Sequence, residues 1–146
     1  MRAKMKRSIL IISLIFAACA VNREFRVTKF GYYKIEVPNG YLNHLVISGN
    51  HGKEQQYWYN DSTLFYFSNE TGITTPNYEN ISKNEETRSI RTKAILENDT
   101  FYLEGKDDKN LFWKECFYRD ITIGYMNVPN EKKEIFDKVI SSLRKK

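Results

Sequence analysis

Few side chains in this sequence combine the type and the spacing that catalysis or metal binding requires. The chain has two histidines, His44 within a strand-like pattern and His51 in a glycine-flanked turn. Neither forms a metal-ligand motif with cysteine or carboxylate, so the sequence predicts no metal site. The two cysteines are Cys19 and Cys116. Nothing near Cys116 in the sequence would lower its pKa, and we expect a small, partly buried apolar residue there rather than a nucleophile.

The carboxylates are numerous but dispersed. Asp107 and Asp108 are adjacent, yet lysines flank them and the EF-hand spacing is absent, so we expect a polar hairpin tip. Glu115 lies in an aromatic stretch, where it either faces solvent or pairs with Lys114 or Arg119. No glycine-rich phosphate loop or serine-nucleophile motif is present. The sequence therefore predicts neither an enzyme nor a bound cofactor.

Aromatic residues are unusually frequent, with ten Tyr and nine Phe among 146 residues. Segments 55–59 and 63–68 alternate like strands across a short polar turn and predict a hairpin. Alternation sends Tyr57 and Tyr59 to one face of the hairpin and Trp58 to the other. Together with Tyr66 on the second strand, these residues either form a surface for stacking on sugar or peptide, or pack in the interior. Packing is the favoured interpretation.

The first 18 residues have the three regions of a bacterial signal peptide. Residues 1–7 are cationic, residues 9–16 are apolar apart from one serine, and Ala17 and Ala18 precede Cys19. The apolar run is shorter than the ~20 residues that span a bilayer. Four of the 23 basic residues lie in this segment, which has no acidic residue, so the remainder carries 19 basic and 18 acidic side chains. A nearly neutral domain has no long-range field to attract nucleic acid.

The end of this segment, Phe-Ala-Ala-Cys at residues 16–19, resembles the lipobox of bacterial lipoproteins. The resemblance implies cleavage before Cys19 and attachment of a lipid to its thiol, although Phe16 stands where Leu is usual. The alternative is ordinary cleavage after Ala20, which would release a secreted or periplasmic soluble protein. Ala20 is not the Asp that would imply retention in the inner membrane, so the outer membrane is favoured. Residues 19–24 then form a short tether of about 20 Å at most.

The elements that must position these residues are mostly strands. Alternating segments bounded by turn residues predict strands at 33–37, 42–48, 55–59, 63–68, 88–96, 100–105, 111–118 and 121–128. Residues 69–86 lack periodicity and either cover a sheet edge or form a functional loop. A single apolar stripe predicts a helix over 130–144, with Asn130 as its N-cap. We therefore predict one α+β domain, residues 25–146, in which the C-terminal amphipathic helix packs on an antiparallel sheet of about six to seven strands.

Both ends of this domain resemble PsbP-like domains. Residues 36–41, Glu-Val-Pro-Asn-Gly-Tyr, are similar to the opening of that family, with Tyr41 in place of the usual Trp. Gly124, Tyr125 and the helix sequence at 136–143 are similar to its ending. The resemblance implies a sheet covered by helices and a non-enzymatic role in binding or assembly, and it supplies no catalytic residues.

These features together favour a non-catalytic, lipid-anchored protein of the cell envelope that acts as a membrane-proximal binding or assembly module. Its expected partners are the membrane, through the lipid, and an envelope protein, with no nucleic acid. A lipoprotein that binds a small glycan or lipid is one alternative. A soluble protein released by cleavage at Ala20 is another.

Overall fold

The computed structural model describes residues 24–50, 52–69 and 83–145. Residues 1–18, Cys19, His51 and most of the connection 69–86 lie outside the described residues. The strands are β1 (Phe25–Phe30), β2 (Tyr33–Pro38), β3 (Asn43–Ser48), β4 (Lys53–Trp58), β5 (Leu64–Ser68), β6 (Thr100–Lys106), β7 (Phe112–Tyr118), β8 (Ile121–Val128) and β9 (Arg144–Lys145). The helices are α1 (Lys83–Glu97) and α2 (Lys133–Ser141), and a 3₁₀ turn, Asn130–Lys132, precedes α2.

Alternation in the sequence produces β2 as predicted. Tyr33, Ile35 and Val37 are buried, whereas Lys34 between them is exposed. The strand ends at Pro38, which cannot donate a ladder hydrogen bond. Gly40 follows with a φ of +90°, a conformation that glycine adopts without steric cost, so the chain turns there.

The strands form two antiparallel sheets. One has six strands in the order β3-β4-β5-β8-β7-β6, and the other has three in the order β1-β2-β9. Hairpins account for β3–β4, β4–β5, β6–β7 and β7–β8, while the pairing of β5 with β8 joins distant parts of the chain. In β8, Asn127 has a φ of 58° near a register shift against β7, which marks a bulge.

The core lies between one face of the six-stranded sheet, the inner face of the small sheet, and α2. Phe65 and Tyr125 at the centre of the large sheet contact the ring of Phe136 from α2. Phe30 from β1 packs edge-on against Phe67 with ring centroids 4.8 Å apart. Other buried members are Tyr33, Ile35, Val37, Tyr57, Tyr59, Cys116, Ile121, Ile123, Val128, Val139 and Ile140.

The second face of the large sheet carries α1, which packs against β6 and β7 and buries Ala94. Glycine permits a close approach here, because a Cβ at Gly124 would lie 2.5 Å from the ring of Tyr66. The side chain of Tyr66 therefore passes over β8 at Gly124, its register partner on that strand, which has no side chain. This places its hydroxyl 2.5 Å from Glu115 Oε1 on β7.

The α+β class and the antiparallel sheet are confirmed, but the predicted single sheet of about six to seven strands is wrong in arrangement. Residues 25–30 form β1, which was not among the predicted strands, and with β2 and β9 they make a separate sheet. Its inner face meets the large sheet across the core. Two hydrophobic sheet faces thus bury each other, with α2 at their side.

The predicted strand at 88–96 is also wrong, because these residues lie in α1. The helix is rich in strong helix formers such as Glu, Lys, Arg, Ala and Leu, and this local preference prevails. At the C terminus the predicted helix is confirmed but shorter. Asn130 begins the 3₁₀ turn and makes no side-chain cap hydrogen bond, so its assignment as the N-cap of an α-helix is wrong.

Candidate binding surface at the edge strands

The outer edge strand β3 carries exposed apolar side chains. This strand lies at one end of the six-stranded sheet and pairs only with β4 among the described residues. Leu45 is 48% exposed and Val46 is 56% exposed, and they point to opposite faces of the strand. Leu42, just before the strand, is exposed as well. The strand therefore presents apolar side chains on both faces, beside the backbone groups of its outer edge.

An open groove of about 340 Å³ runs between β3 and β1. Its lining includes Arg26 and Thr28 from β1, Tyr41 from the turn after β2, His44 from β3 and Tyr57 from β4. Of the residues that the structure describes, no carboxylate lines it. The Arg26 guanidinium donates to the Tyr41 hydroxyl over 3.2 Å, which keeps a positive charge at the rim of the groove.

Aromatic contacts make the floor of the groove rigid. The imidazole of His44 stacks on the ring of Tyr57, with centroids 4.5 Å apart and planes 10° from parallel. Tyr41 meets Tyr57 edge-on at 5.0 Å. The Tyr57 hydroxyl donates to Gln55 Oε1 at 3.0 Å and lies 3.3 Å from Thr28 Oγ1. Burial raises the pKa of Tyr57, so its hydroxyl keeps its proton near neutral pH.

The four aromatics expected as a possible stacking surface are mostly interior. Tyr57, Tyr59 and Tyr66 are buried, and Trp58 is half-buried on the opposite face from Tyr57. The Tyr59 hydroxyl donates to the Pro38 carbonyl at 2.7 Å, and the indole of Trp58 donates to the side chain of Gln56. The three tyrosines therefore pack in the interior, which is the interpretation that the sequence favoured, and do not form an exposed platform. Only Tyr57 contributes to the groove, through one edge of its ring.

Glu115 is only 2% exposed, so the expectation that it faces solvent is wrong. It lies on the second face of the large sheet, whereas its neighbour Lys114 points to the first face and pairs with Glu104 and Asp137. The sequence did not reveal its partner in the described residues, the hydroxyl of Tyr66, because that contact crosses an intervening strand.

A buried polar layer extends from Glu115 across this face. It consists of Glu54, Gln56, Ser68, Glu115 and Thr122, all buried. The Gln56 amide donates to Glu54 Oε1 at 2.7 Å and accepts from the Trp58 indole at 3.0 Å. The sequence did contain a signal for this layer, because polar side chains occupy alternate positions of β4. Such hydrogen bonds are what burial of carboxylates and amides requires, and the layer thus helps to fix the register of the sheet.

The two remaining chemically capable residues within the described ranges, Cys116 and His44, are not brought together. Cys116 is a buried free thiol, and burial raises its pKa to about 11, so it stays protonated and weakly nucleophilic at neutral pH. His44 is exposed in the groove on β3, whereas Cys116 lies on β7, four strands away in the sheet. In the part of the chain that the structure describes, no group of three or more potential ligands could hold a metal ion.

In comparisons with known proteins, no family model matches the chain, and no curated protein or solved structure matches it either. The resemblances to bacterial lipoproteins and to PsbP-like domains therefore stay predictions from the sequence. Within the described residues, neither helix has the length and apolar character needed to cross a bilayer.

Proposed function

We propose that this protein is a non-catalytic lipoprotein of the bacterial cell envelope, anchored through Cys19, that binds an extended segment of a partner protein along β3. The signal-like residues 1–18 and the lipobox-like residues 16–19 support the anchor. The observation that carries the binding role is the exposed, uncharged edge of β3. Its sequence, Asn-His-Leu-Val-Ile-Ser, contains no Lys, Arg, Asp or Glu.

An unprotected strand edge is unusual because it invites pairing with other chains. Proteins normally protect edge strands with charged side chains, proline or bulges. The other edge strands among the described residues are protected, since β6 carries Glu104 and Lys106, β1 carries Arg26 and Lys29, and β9 is only two residues long. β3 alone among them lacks this protection. An added strand from a partner would satisfy its outer backbone groups and cover Leu45 and Val46.

The groove beside β3 indicates the chemistry of that partner segment. Its side chains facing Leu45 and Val46 should be apolar, and one facing the groove should be acidic, to pair with Arg26 at the rim. A second copy of β3 fits less well, because it has no acidic residue to offer. A distinct envelope protein is therefore the occupant that we propose.

Site-specific crosslinking in the native host tests this proposal. A photo-crosslinking residue in place of Leu45 should join the chain to one other envelope protein. Val46→Lys adds a charge to the edge and should abolish that adduct. Ile95→Lys changes a comparably exposed apolar residue, 58% exposed on α1, and should leave the adduct intact. In the purified complex, the β3 amides should exchange hydrogen more slowly than in the free protein.

Three outcomes would refute binding along β3 by a partner protein. These are the absence of any adduct, an adduct that survives Val46→Lys, and an adduct with the mass of two copies of this chain. The anchor is tested separately by mass spectrometry of protein from its native host. Loss of residues 1–18 with an acylated Cys19 is expected, whereas an unmodified chain beginning after Ala20 would indicate a released soluble protein.

A second candidate function, binding of a small glycan or lipid, is favoured by the groove itself. Its volume of about 340 Å³ lies within the range of small-ligand pockets, and Tyr41, His44 and Tyr57 provide rings for stacking. Lipid or glycan fractions from the host envelope should then raise the melting temperature, and Tyr41→Ala should remove the effect. Equal melting temperatures with and without the fractions would count against this function.

A further inference from the structure

The outer face of the small sheet carries two lysines in direct register, which we call the basic row. Lys34 on β2 pairs with Lys29 on β1. Lys29 and Lys34 are both exposed. Like charges directly opposite each other destabilise a sheet. The arrangement is therefore explained most simply if an external anion neutralises it.

Most basic residues elsewhere on the described surface near α2 already have carboxylate partners. Lys114, Lys132, Lys133 and Lys138 all form ion pairs. Lys29 and Lys34 form none with the described residues. The carboxylate on the same face is that of Glu36, which is half-buried and makes no ion pair within 4.0 Å with them.

Apolar and aromatic side chains accompany this charge. Val27 lies on the same face, two residues before Lys29, and is 61% exposed. Tyr32 is 78% exposed at the tip of the β1–β2 hairpin, beside Gly31 with a φ of 55°. A depression of about 220 Å³ next to Lys34 completes the surface. Tyrosine is enriched at membrane–water interfaces, and basic residues are attracted to anionic membrane surfaces.

We propose that this face rests on a membrane surface that contains anionic phospholipids, so that the domain is held in one orientation. The proposal builds on the anchor at Cys19, which the proposed function includes. Residues 19–24 span about 20 Å at most, and Lys29 lies only four residues, or roughly 13 Å, beyond the start of β1. A lipid on Cys19 therefore brings this face within reach of the headgroups.

The charge distribution favours a membrane over a soluble anionic macromolecule. The chain after residue 18 carries 19 basic and 18 acidic side chains, so it has no net field to attract a distant nucleic acid. A tether instead keeps the basic row close to the membrane, and where the row comes within a Debye length of about 8–10 Å, each lysine is attracted by anionic headgroups.

Fluorescence quenching measures the orientation directly. Protein purified from its native host is reconstituted into vesicles that contain acyl-brominated lipid, either with phosphatidylglycerol or with phosphatidylcholine alone. Tyr32→Trp should be quenched strongly in the anionic vesicles and weakly in the neutral ones. Tyr102→Trp, at a comparably exposed site on β6, should give only the background of Trp58 and Trp113 in both.

Charge reversal tests the role of the two lysines, and the same change at two other lysines supplies the matched control. Lys29→Glu with Lys34→Glu in the Tyr32→Trp background should reduce quenching to the level of Tyr102→Trp. Lys93→Glu with Lys109→Glu makes the same charge change at exposed sites outside this face and should leave quenching unchanged. Quenching that is equal at positions 32 and 102, or that survives reversal of Lys29 and Lys34, would overturn the proposal. If the protein does not sediment with neutral vesicles, that result counts against the lipid anchor alone. Quenching at position 32 by anionic vesicles still tests whether the basic face contacts the membrane.

Discussion

Replacing Gly124 with alanine should destabilise the fold through Tyr66. A Cβ at position 124 would lie 2.5 Å from both Cζ and the hydroxyl oxygen of Tyr66, and 2.9 Å from Cε1. Non-bonded carbons normally stay about 3.5–4.0 Å apart, so the ring must move by roughly 1 Å. Tyr66 is completely buried, and its ring cannot swing into solvent to make room. Its movement should break the 2.5 Å hydrogen bond to Glu115.

Three effects set the size of the change. Overpacking costs about 1–3 kcal/mol, and breaking a buried hydrogen bond so that a polar group is left unsatisfied costs about 1–3 kcal/mol. The lower flexibility of alanine in the unfolded chain returns about 0.5–1 kcal/mol. The free energy of unfolding should therefore fall by about 2–5 kcal/mol, a large part of the total of about 5–15 kcal/mol for a domain.

Urea unfolding followed by far-ultraviolet circular dichroism measures this change. The midpoint should fall while the m-value stays constant, since the surface exposed on unfolding is the same. In the double variant Tyr66→Ala/Gly124→Ala the clash is absent, so its destabilisation should be smaller than the sum of the two single changes. A wild-type midpoint for Gly124→Ala, or simple additivity in the double variant, would refute the role of Tyr66.

Three further predictions concern the core, acid stability and the thiol. Phe136→Ala should lower the free energy of unfolding by about 3–5 kcal/mol because Phe136 is buried where α2 meets the large sheet; a loss below about 1 kcal/mol in the same urea assay would contradict this packing role. Burial acts to raise the pKa of Asp137, but hydrogen bonding from Lys133 and the charge of Lys114 lower it overall. The ionised Asp137 therefore stabilises the fold above the unfolded pKa of about 3.9, and this contribution should disappear as the pH falls through the folded pKa. Asp137→Asn should flatten that part of a stability–pH profile, and an unchanged profile would show that other carboxylates govern acid unfolding. Cys116, with its pKa raised by burial, should react with a disulfide reagent at about pH 8 only as the protein unfolds; rapid modification of the folded protein would show that the thiol is accessible.

Much of the secondary structure could be predicted because it depends on neighbouring residues. Alternation predicted β2, and short polar turns predicted the β4–β5, β6–β7 and β7–β8 hairpins. The apolar stripe at Phe136, Val139 and Ile140 predicted α2 and the side of it that is buried. The failure at 88–96 has a local cause as well, since Ile90, Ile95 and Leu96 fit neither a clear helical stripe nor a strict alternation.

The sequence by itself determined most of the strands, where most turns fall, and which residues resemble an export signal and a lipidation site. It determined neither β1 nor the helical state of residues 88–96. Only the tertiary structure decided that β1 and β2 leave the large sheet, that β5 pairs with β8, and that β3 therefore ends at an edge. An edge is the absence of a second neighbouring strand, and that depends on pairings between residues far apart in the chain. The same is true of the basic row, because Lys29 and Lys34 are opposed only through the register of the hairpin.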